Sequence, residues 1–482
     1  MALRPRQLFA RAQPRLFPRA ARRFSVAPAH RPGESNHLAF DAIAPDCVRF
    51  EHVVRAAHRV RHHVVRTNVL KSHWLGLEVG SNVFLKMEQQ QFTGSFKERG
   101  ACNALMSLTA EQKQRGVIAA SAGNHALAMA YHGVNLGIPV TVVMPTVAPL
   151  AKVDKCRAIG ANVVIHGEHI GQAKEWAMSG AEFDGMVYIN GYDDPAIIAG
   201  AGTLGIEALE QIDDLDVMVV PIGGAGLIAG MALAAKTLNP KVHVIGVEPV
   251  RAASYTAALE AGYPVPFDVK PTLADGLAVP MVGPHAFAVA RQYVDEVVQV
   301  EESDVALAVL RLVELEKLVV EGGGASGLAA LLPGRPLDRA DLKGKNVLVP
   351  LCGGNIDTTV LGRVIERGLA ADSRLVRLVA SVSDRPGGIS QLTSIISQNG
   401  GSVKDIFHER AWLFSSVDQV RIKVVLETTG SEHNDRIIRA LRDSLPDAAE
   451  VYIEVDGMRR GWCGPDGLEA REPLDDAVVR SS

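Results

Sequence analysis

Six short apolar runs limit what this chain can fold into. They fall at 117–121, 140–145, 162–167, 217–223, 242–248 and 346–351. Several are nearly continuous in Val and Ile, and strands of that kind are buried on both faces, as in a parallel sheet covered by helices. Between them lie stretches with helical periodicity at Asn124–Leu136, 148–159, 199–212 and 227–238. Such strand–helix alternation predicts an α/β architecture. Several runs end in Gly-rich turns, and in open α/β sheets ligands bind beyond the carboxyl ends of the strands.

At 482 residues the chain has room for two to four domains. A formal net charge of −4, with no Lys/Arg patch interleaved with aromatics in the body of the chain, gives no sign of a nucleic-acid partner. No apolar run is long enough to span a membrane. Cys47, Cys102, Cys156, Cys352 and Cys463 are an odd number without a CxxC pair, which argues for reduced thiols over a disulfide framework or a zinc site. The first 33 residues differ in kind: they hold Arg4, Arg6, Arg11, Arg15, Arg19, Arg22, Arg23 and Arg31 and no Asp or Glu. Arg-rich, acid-free segments address proteins to mitochondria, so the expectation is a transit peptide and a matrix location, or a basic tail on a cytoplasmic protein.

The pattern changes near 370–373. From Arg374 the order is strand Leu375–Ser383, helix 389–398, strand Ser402–Glu409, strand 420–427, helix 432–444, strand 450–455. That is βαββαβ, a ferredoxin-like arrangement. The expected division is leader 1–33, catalytic domain 34–370, small domain 374–456 and a flexible tail 457–482, the last rich in Gly, Pro and charge.

Four loops carry candidate chemistry. In Thr93-Gly94-Ser95-Phe96-Lys97-Glu98-Arg99-Gly100, a lysine follows two small residues and Phe96 and opens a helix over 98–108. A desolvated lysine loses basicity and can form an imine with an aldehyde; alternatively Lys97 is a solvated residue at a helix start. Ser121-Ala122-Gly123-Asn124-His125 leads from a strand into a helix, where free backbone N–H groups bind anions, or where Ser or Asn acts as a plain cap. Gly223-Gly224-Ala225-Gly226-Leu227 is a strand-to-helix turn able to cradle phosphate, or a site of tight packing. It is not a Walker loop, since no Gly-Lys-Ser/Thr follows, and the first βα turn lacks the dinucleotide fingerprint. Cys352 ends the last apolar run before Gly353-Gly354-Asn355; a small buried thiol is the plain reading.

Taken together and in this order, these motifs resemble those of the threonine dehydratases and serine racemases, fold-type II pyridoxal 5′-phosphate enzymes similar to the β subunit of tryptophan synthase. The resemblance runs from about residue 60 to 368. It implies a two-lobed α/β catalytic domain in which Lys97 holds the cofactor as a Schiff base and moves the Cα proton, with Phe96 packed against the ring. It implies that Ser121, Ala122, Gly123, Asn124 and His125 hold the substrate carboxylate through backbone amides, with His125 otherwise a satisfied structural histidine, and that the Asn124 side chain reaches the 3′-oxygen of the cofactor. Gly223, Gly224, Ala225, Gly226 and Leu227 are then the phosphate loop, and Cys352 faces the pyridine nitrogen as a neutral partner. Serine racemases carry a serine where Ala122 stands, and a methyl group cannot transfer a proton, which favours elimination over racemisation. Glu321 is a candidate supporting group beside the ring. Glu248 occupies the place of a metal-binding carboxylate in serine racemases, but the other acidic ligand would fall on Ser254, a poor divalent ligand, so no dedicated metal site is expected. Ala201 stands where the family usually has Gln.

The segment 379–389, with Asp384-Arg385-Pro386-Gly387, resembles the start of an ACT domain, which implies an amino-acid or nucleotide effector bound at a subunit interface of a homo-oligomer (dimer or tetramer), or a dimerisation module without a ligand. The expectation is therefore an L-threonine ammonia-lyase that also takes L-serine, with a serine racemase or serine-specific lyase, or a non-catalytic amino-acid sensor, as rivals.

Overall fold

The computed structural model describes residues 40, 42–409, 419–445, 451–455, 458–463 and 469–473. The basic leader lies outside these residues. The strands of the first two sheets are, in chain order, β1 (Val69–Ser72), β2 (Asn82–Lys86), β3 (Val117–Ala120), β4 (Val140–Met144), β5 (Asn162–Ile165), β6 (Val187–Tyr188), β7 (Val217–Pro221), β8 (His243–Pro249), β9 (Glu296–Val300) and β10 (Asn346–Pro350). A small lobe is built on four parallel strands in the order β5-β4-β3-β6. A large lobe is built on six in the order β1-β2-β10-β7-β8-β9, parallel apart from the β1–β2 pair at its edge. Every residue of β7 is buried, as an unbroken apolar strand with helices on both faces requires.

The helices that cover the large sheet are short of bulk. Pro195–Gln211 and Gly226–Leu238 are rich in Ala and Gly and buried along 197–205 and 226–235. Small side chains let their backbones approach: a Cβ on Gly230 would lie 2.4 Å from the Ile198 carbonyl oxygen and 2.6 Å from the Gly202 nitrogen. The first of these helices starts at Pro195, earlier than the periodicity suggested. Asp194 caps it, its carboxylate accepting from the Ala196 and Ile197 N–H groups, and Pro195 takes the first helical position, where no N–H is needed.

The C-terminal unit contains β11 (Leu375–Ser383), β12 (Ser402–Glu409), β13 (Gln419–Glu427) and β14 (Val451–Val455), with helices Gly388–Gln398 and Ser431–Ser444. Its sheet order β12-β13-β11-β14 is the ferredoxin-like one, and the alternating burial of β13 places Val420, Ile422, Val424 and Leu426 in a core of their own. The reading of 457–482 as a flexible tail is corrected over two segments. β15 (Met458–Cys463) pairs antiparallel with β14, and β16 (Glu469–Pro473) pairs with β15, so the sheet extends beyond the ferredoxin-like four strands. The signal was Asp456-Gly457, a dipeptide favoured in tight hairpin connections, standing between the paired Val455 and Met458.

The close approach of the two Ala/Gly-rich helices gives a direct test. Gly230→Ala overpacks that contact against backbone and is expected to cost about 1–3 kcal/mol, read as a lower urea midpoint with an unchanged slope.

Candidate active site

Lys97 opens helix Lys97–Ser107 and is partly buried, with its amine turned into the protein. Its Nζ donates to the Gly191 carbonyl at 2.7 Å and lies 5.0 Å from the Phe96 ring centroid. Burial lowers the amine to about 8, against the opposing pull of Cys352 and Glu321. The loop in front of it is tied to the loop after β10. Ser95 bridges Gly353, the Phe96 N–H donates to the Cys352 carbonyl at 2.9 Å, and the Gly354 N–H donates to the Gly94 carbonyl at 2.9 Å. Gly94 has φ 80°, and a Cβ there would meet the Asn355 side-chain oxygen at 2.8 Å, so both its backbone and its neighbour demand glycine.

Behind Lys97 the same helix carries Arg99, 0 % exposed. Its Nε and Nη2 donate to the two Glu88 oxygens, each at 2.8 Å, and Nη1 and Nη2 donate to Glu207 at 2.7 and 2.8 Å. Lys86, also fully buried, donates to Glu207, to Gln211 and to the Thr67 carbonyl. Two cations and two carboxylates thus neutralise each other beneath the site, which is how buried charge is tolerated.

Ser121 follows β3, and its hydroxyl accepts from the Gly123 N–H at 3.2 Å. Ala122 packs partly buried against the small-lobe core. Helix Asn124–Leu136 begins directly after Gly123, and the N–H groups of Ala122, Asn124 and His125 have no acceptor among the described residues. Asn124 is held at both ends of its amide: Nδ2 donates to Glu321 Oε1 at 2.6 Å, and Oδ1 accepts from Asn355 Nδ2 at 2.9 Å. Burial first, and then Asp275, raise Glu321 to about 7. His125 is only half satisfied. Nε2 meets the Ile189 carbonyl at 3.3 Å, while buried Nδ1 has no partner among the described residues. Burial, with Lys97 beside it, lowers this imidazole to about 3, so it is neutral.

Gly223-Gly224-Ala225-Gly226-Leu227 joins β7 to helix Gly226–Leu238. The backbone N–H groups of all five residues lack an acceptor among the described residues. The glycines are explained by a neighbour: a Cβ on Gly224 would lie 2.2 Å from the Tyr192 ring, and one on Gly226 2.2 Å from the Tyr192 carbonyl oxygen. Tyr192 follows Gly191, the acceptor of Lys97, so one short loop touches both lysine and glycine turn. Asn190 shapes that loop, its side-chain oxygen accepting from the Tyr192 and Asp193 N–H groups. Ala225 sits at φ 69°, a left-handed conformation that costs an L-residue about 1–2 kcal/mol.

Cys352 is buried. Its thiol donates to the Pro350 carbonyl at 3.4 Å, and burial pushes its acidity far below that of an ordinary thiol, so it is neutral. Glu248 accepts from the Tyr255 and Thr256 N–H groups and the Thr256 hydroxyl at 2.7–2.9 Å, so its carboxylate is already engaged by the chain. Ser254 is buried beside it with its hydroxyl unpartnered among the described residues. Two surface clefts, of about 550 and 830 Å³, are lined by none of Lys97, Asn124, His125, Glu321, Cys352 or the glycine turn, so convergent chemistry marks the site.

The structure thus draws Lys97, Asn124, His125, Glu321 and Cys352 together and links the glycine turn to them through Gly191 and Tyr192. Sequence reasoning missed that loop, although Asn190-Gly191-Tyr192-Asp193-Asp194-Pro195 is a cluster of turn residues before a helix. It also missed the Asn355 contact and the Arg99 network.

A two-lobed α/β fold with a desolvated lysine, an unsatisfied run of N–H donors at a helix start and a neutral thiol defines a lysine-dependent cofactor enzyme. The comparisons agree. The profile of the family described as pyridoxal-phosphate dependent enzyme matches residues 60–353. An L-threonine ammonia-lyase of Thermotoga maritima is 41% identical over 394 residues, 82% of this chain and 97% of that protein. Among solved structures, the processed threonine deaminase isoform 2 of Solanum lycopersicum superposes with TM-score 0.64 at 34% identity, covering 68% of this chain and 89% of that one. Maize serine racemase gives TM-score 0.63 at 33% identity, covering 67% and 98%. The chain belongs to the pyridoxal-phosphate dependent enzyme family, and its cofactor is pyridoxal 5′-phosphate.

The residues present fit that group. The lysine is poised near 8, five N–H donors stand ready for a phosphate, and among the described residues no carboxylate pairs with the amine. If the left-handed Ala225 is a pure backbone cost, Ala225→Gly should raise stability by about 1 kcal/mol or less without weakening cofactor binding, read by thermal unfolding of the holoenzyme.

Proposed function

We propose that this enzyme is an L-threonine ammonia-lyase that also accepts L-serine, releasing 2-oxobutyrate or pyruvate with ammonia. One observation carries the reading: Lys97 is desolvated with a backbone carbonyl as its hydrogen-bond acceptor, so near pH 8 its amine passes between proton carrier and free base. The 41% identity to an L-threonine ammonia-lyase, over nearly that protein's whole length, supports the substrate.

Pyridoxal 5′-phosphate, when bound, supplies a sink for the negative charge left at the substrate Cα. Lys97 Nζ holds the cofactor and then takes the Cα proton. The free amides of Ala122, Asn124 and His125 bind the substrate carboxylate, and those of Gly223 to Leu227 the cofactor phosphate. With the cofactor bound, Phe96, Asn124 and Cys352 would hold it, and the uncharged thiol of Cys352 would leave the sink weaker than a carboxylate partner would. Ala122 has a methyl group that could not deliver a proton to the face of Cα away from Lys97, which favours elimination of the β-hydroxyl over racemisation.

Three expectations reach beyond the catalytic lobes. The C-terminal unit is an ACT domain that binds an amino-acid or nucleotide effector. Its βαββαβ order supports this, as does the turn after β11, where Gly387 has φ 106°. A 394-residue match within this chain extends past Ala371, so the bacterial relative shares part of the unit. The enzyme is a homo-oligomer, a dimer or tetramer; edge strand β12 exposes Val403, Ile406 and Phe407, apolar surface suited to a second copy. The arginine-rich leader addresses the chain to the mitochondrial matrix, which fusion of residues 1–33 to a fluorescent protein tests.

Lys97→Ala is expected to abolish the visible absorbance of the bound cofactor and to lower oxo-acid release from L-threonine more than about a thousandfold. Retained turnover would sink the mechanism, and D-serine formed from L-serine would favour racemisation. The amine must be unprotonated to attack an aldehyde. Cofactor uptake by the apoprotein should therefore quicken as pH rises and level off above about 8, followed by stopped-flow absorbance.

A further inference from the structure

Asn124 is gripped from two sides by residues that end two different segments, and both segments begin at one cluster of charges. On one side, helix Glu302–Arg311 runs into a π-helical turn, Leu312–Glu316, closed by Lys317 in a left-handed conformation at φ 59°. The chain then runs straight to Glu321, whose carboxylate takes the Asn124 amide. On the other side stands Asn355, shortly before helix Thr358–Ala371, which ends at Asp372. The two segments touch at the site: the Glu321 N–H donates to the Gly353 carbonyl at 2.9 Å, and a Cβ on Gly354 would lie 3.0 Å from the Val319 carbonyl oxygen.

At their far ends the same segments are bound to each other and to the C-terminal unit. Arg311 forks onto Asp372 at 2.9 and 2.7 Å and reaches Glu78 at 2.7 Å. Arg374 donates to both oxygens of Glu314, within the π-turn, at 2.8 and 3.0 Å, and lies 3.5 Å from Asp372. Between Asp372 and Arg374, the Ser373 carbonyl accepts from Thr428 and Asn434 of the C-terminal unit, and the Thr428 N–H donates to the Arg374 carbonyl at 2.8 Å. A shift of the C-terminal unit therefore pulls directly on Glu314.

A π-turn holds one residue more than an α-turn, and such turns are frequent at functional sites. Release of the extra residue here would move 317–321 along by one position and carry Glu321 away from Asn124. We propose that Arg311, Glu314, Asp372 and Arg374 are positioning residues for Asn124: their ion pairs fix the π-turn and so set how Asn124 meets the cofactor, making the placement of the C-terminal unit legible at the site. The proposal rests on the reading of Asn124 as a cofactor contact. It does not depend on the substrate or on which effector binds.

The test uses the full-length holoenzyme with Arg374→Gln, Glu314→Gln, the pair together, the charge exchange Arg374→Glu with Glu314→Arg, and Asn124→Ala as reference. Cofactor affinity and the visible circular dichroism of the bound cofactor are measured beside thermal unfolding. Each single glutamine variant is expected to weaken pyridoxal 5′-phosphate binding about three- to tenfold and to alter the dichroism. The double variant should be no worse than either single one, and the charge exchange should recover part of the loss. Unchanged affinity and dichroism in the single variants, with at most a lower unfolding temperature, would overturn the proposal while leaving Asn124 in place. Unchanged affinity in Asn124→Ala would overturn the reading on which it rests.

Discussion

Two cations stand two residues apart on one helix and are treated in opposite ways. Arg99 is saturated: four hydrogen bonds to Glu88 and Glu207 hold it in a buried, neutral cluster that also engages Lys86. Lys97 is starved: among the described residues its amine has one hydrogen-bond partner, a carbonyl oxygen. The second state depends on the first. A buried lysine left without a counter-ion gains freedom to turn toward water, and only a rigid helix start denies it that escape. Arg99 supplies the rigidity, since its fork joins the helix of Lys97 to Glu88 after β2 and to helix Pro195–Gln211. The weak basicity that chemistry needs in Lys97 is thus held in place by strong ion pairs that take no part in that chemistry.

Around this anchor the site is assembled from chain ends of both lobes. The small lobe contributes the loop after β3 with its free amides; the large lobe contributes the loops after β7 and β10. Asn124 and Asn355 join across, one from each lobe. The C-terminal sheet stands apart from this machinery but is tied to it through Arg374 and Glu314, on a turn a few residues before Glu321.

Much of this was legible in the sequence. Six of the nine parallel strands, β3, β4, β5, β7, β8 and β10, fall on the apolar runs, whereas β2, β6 and β9 were missed; β5, at the edge of its sheet, is partly exposed and not buried on both faces as expected. Helix Asn124–Leu136 and strands Leu375–Ser383 and Ser402–Glu409 have the expected bounds. Lys97, Asn124, the glycine turn and Cys352 were picked out by motif. What stayed hidden depends on distance in space. Nothing near Gly191 says that its carbonyl will meet a lysine 94 residues earlier, and nothing near Asn355 says that it will reach an asparagine 231 residues away. The glycines at 224 and 226 could be read as a phosphate cradle or as tight packing; their neighbour Tyr192 shows that packing requires them. The start at Asp194-Pro195 and the Asp456-Gly457 dipeptide between β14 and β15 were local signals that composition obscured.

The neutral thiol of Cys352 bears on how such an enzyme ages. Oxidants and alkylating agents attack thiolates, not thiols. Burial keeps Cys352 protonated, and it pushes Cys102 and Cys156 up to about 12 and about 11. Burial thereby spares Cys352 the vulnerability of an exposed thiolate. Chemical durability follows from the same desolvation that weakens Lys97 as a base, so one physical cause equips the site to react and protects it from attack.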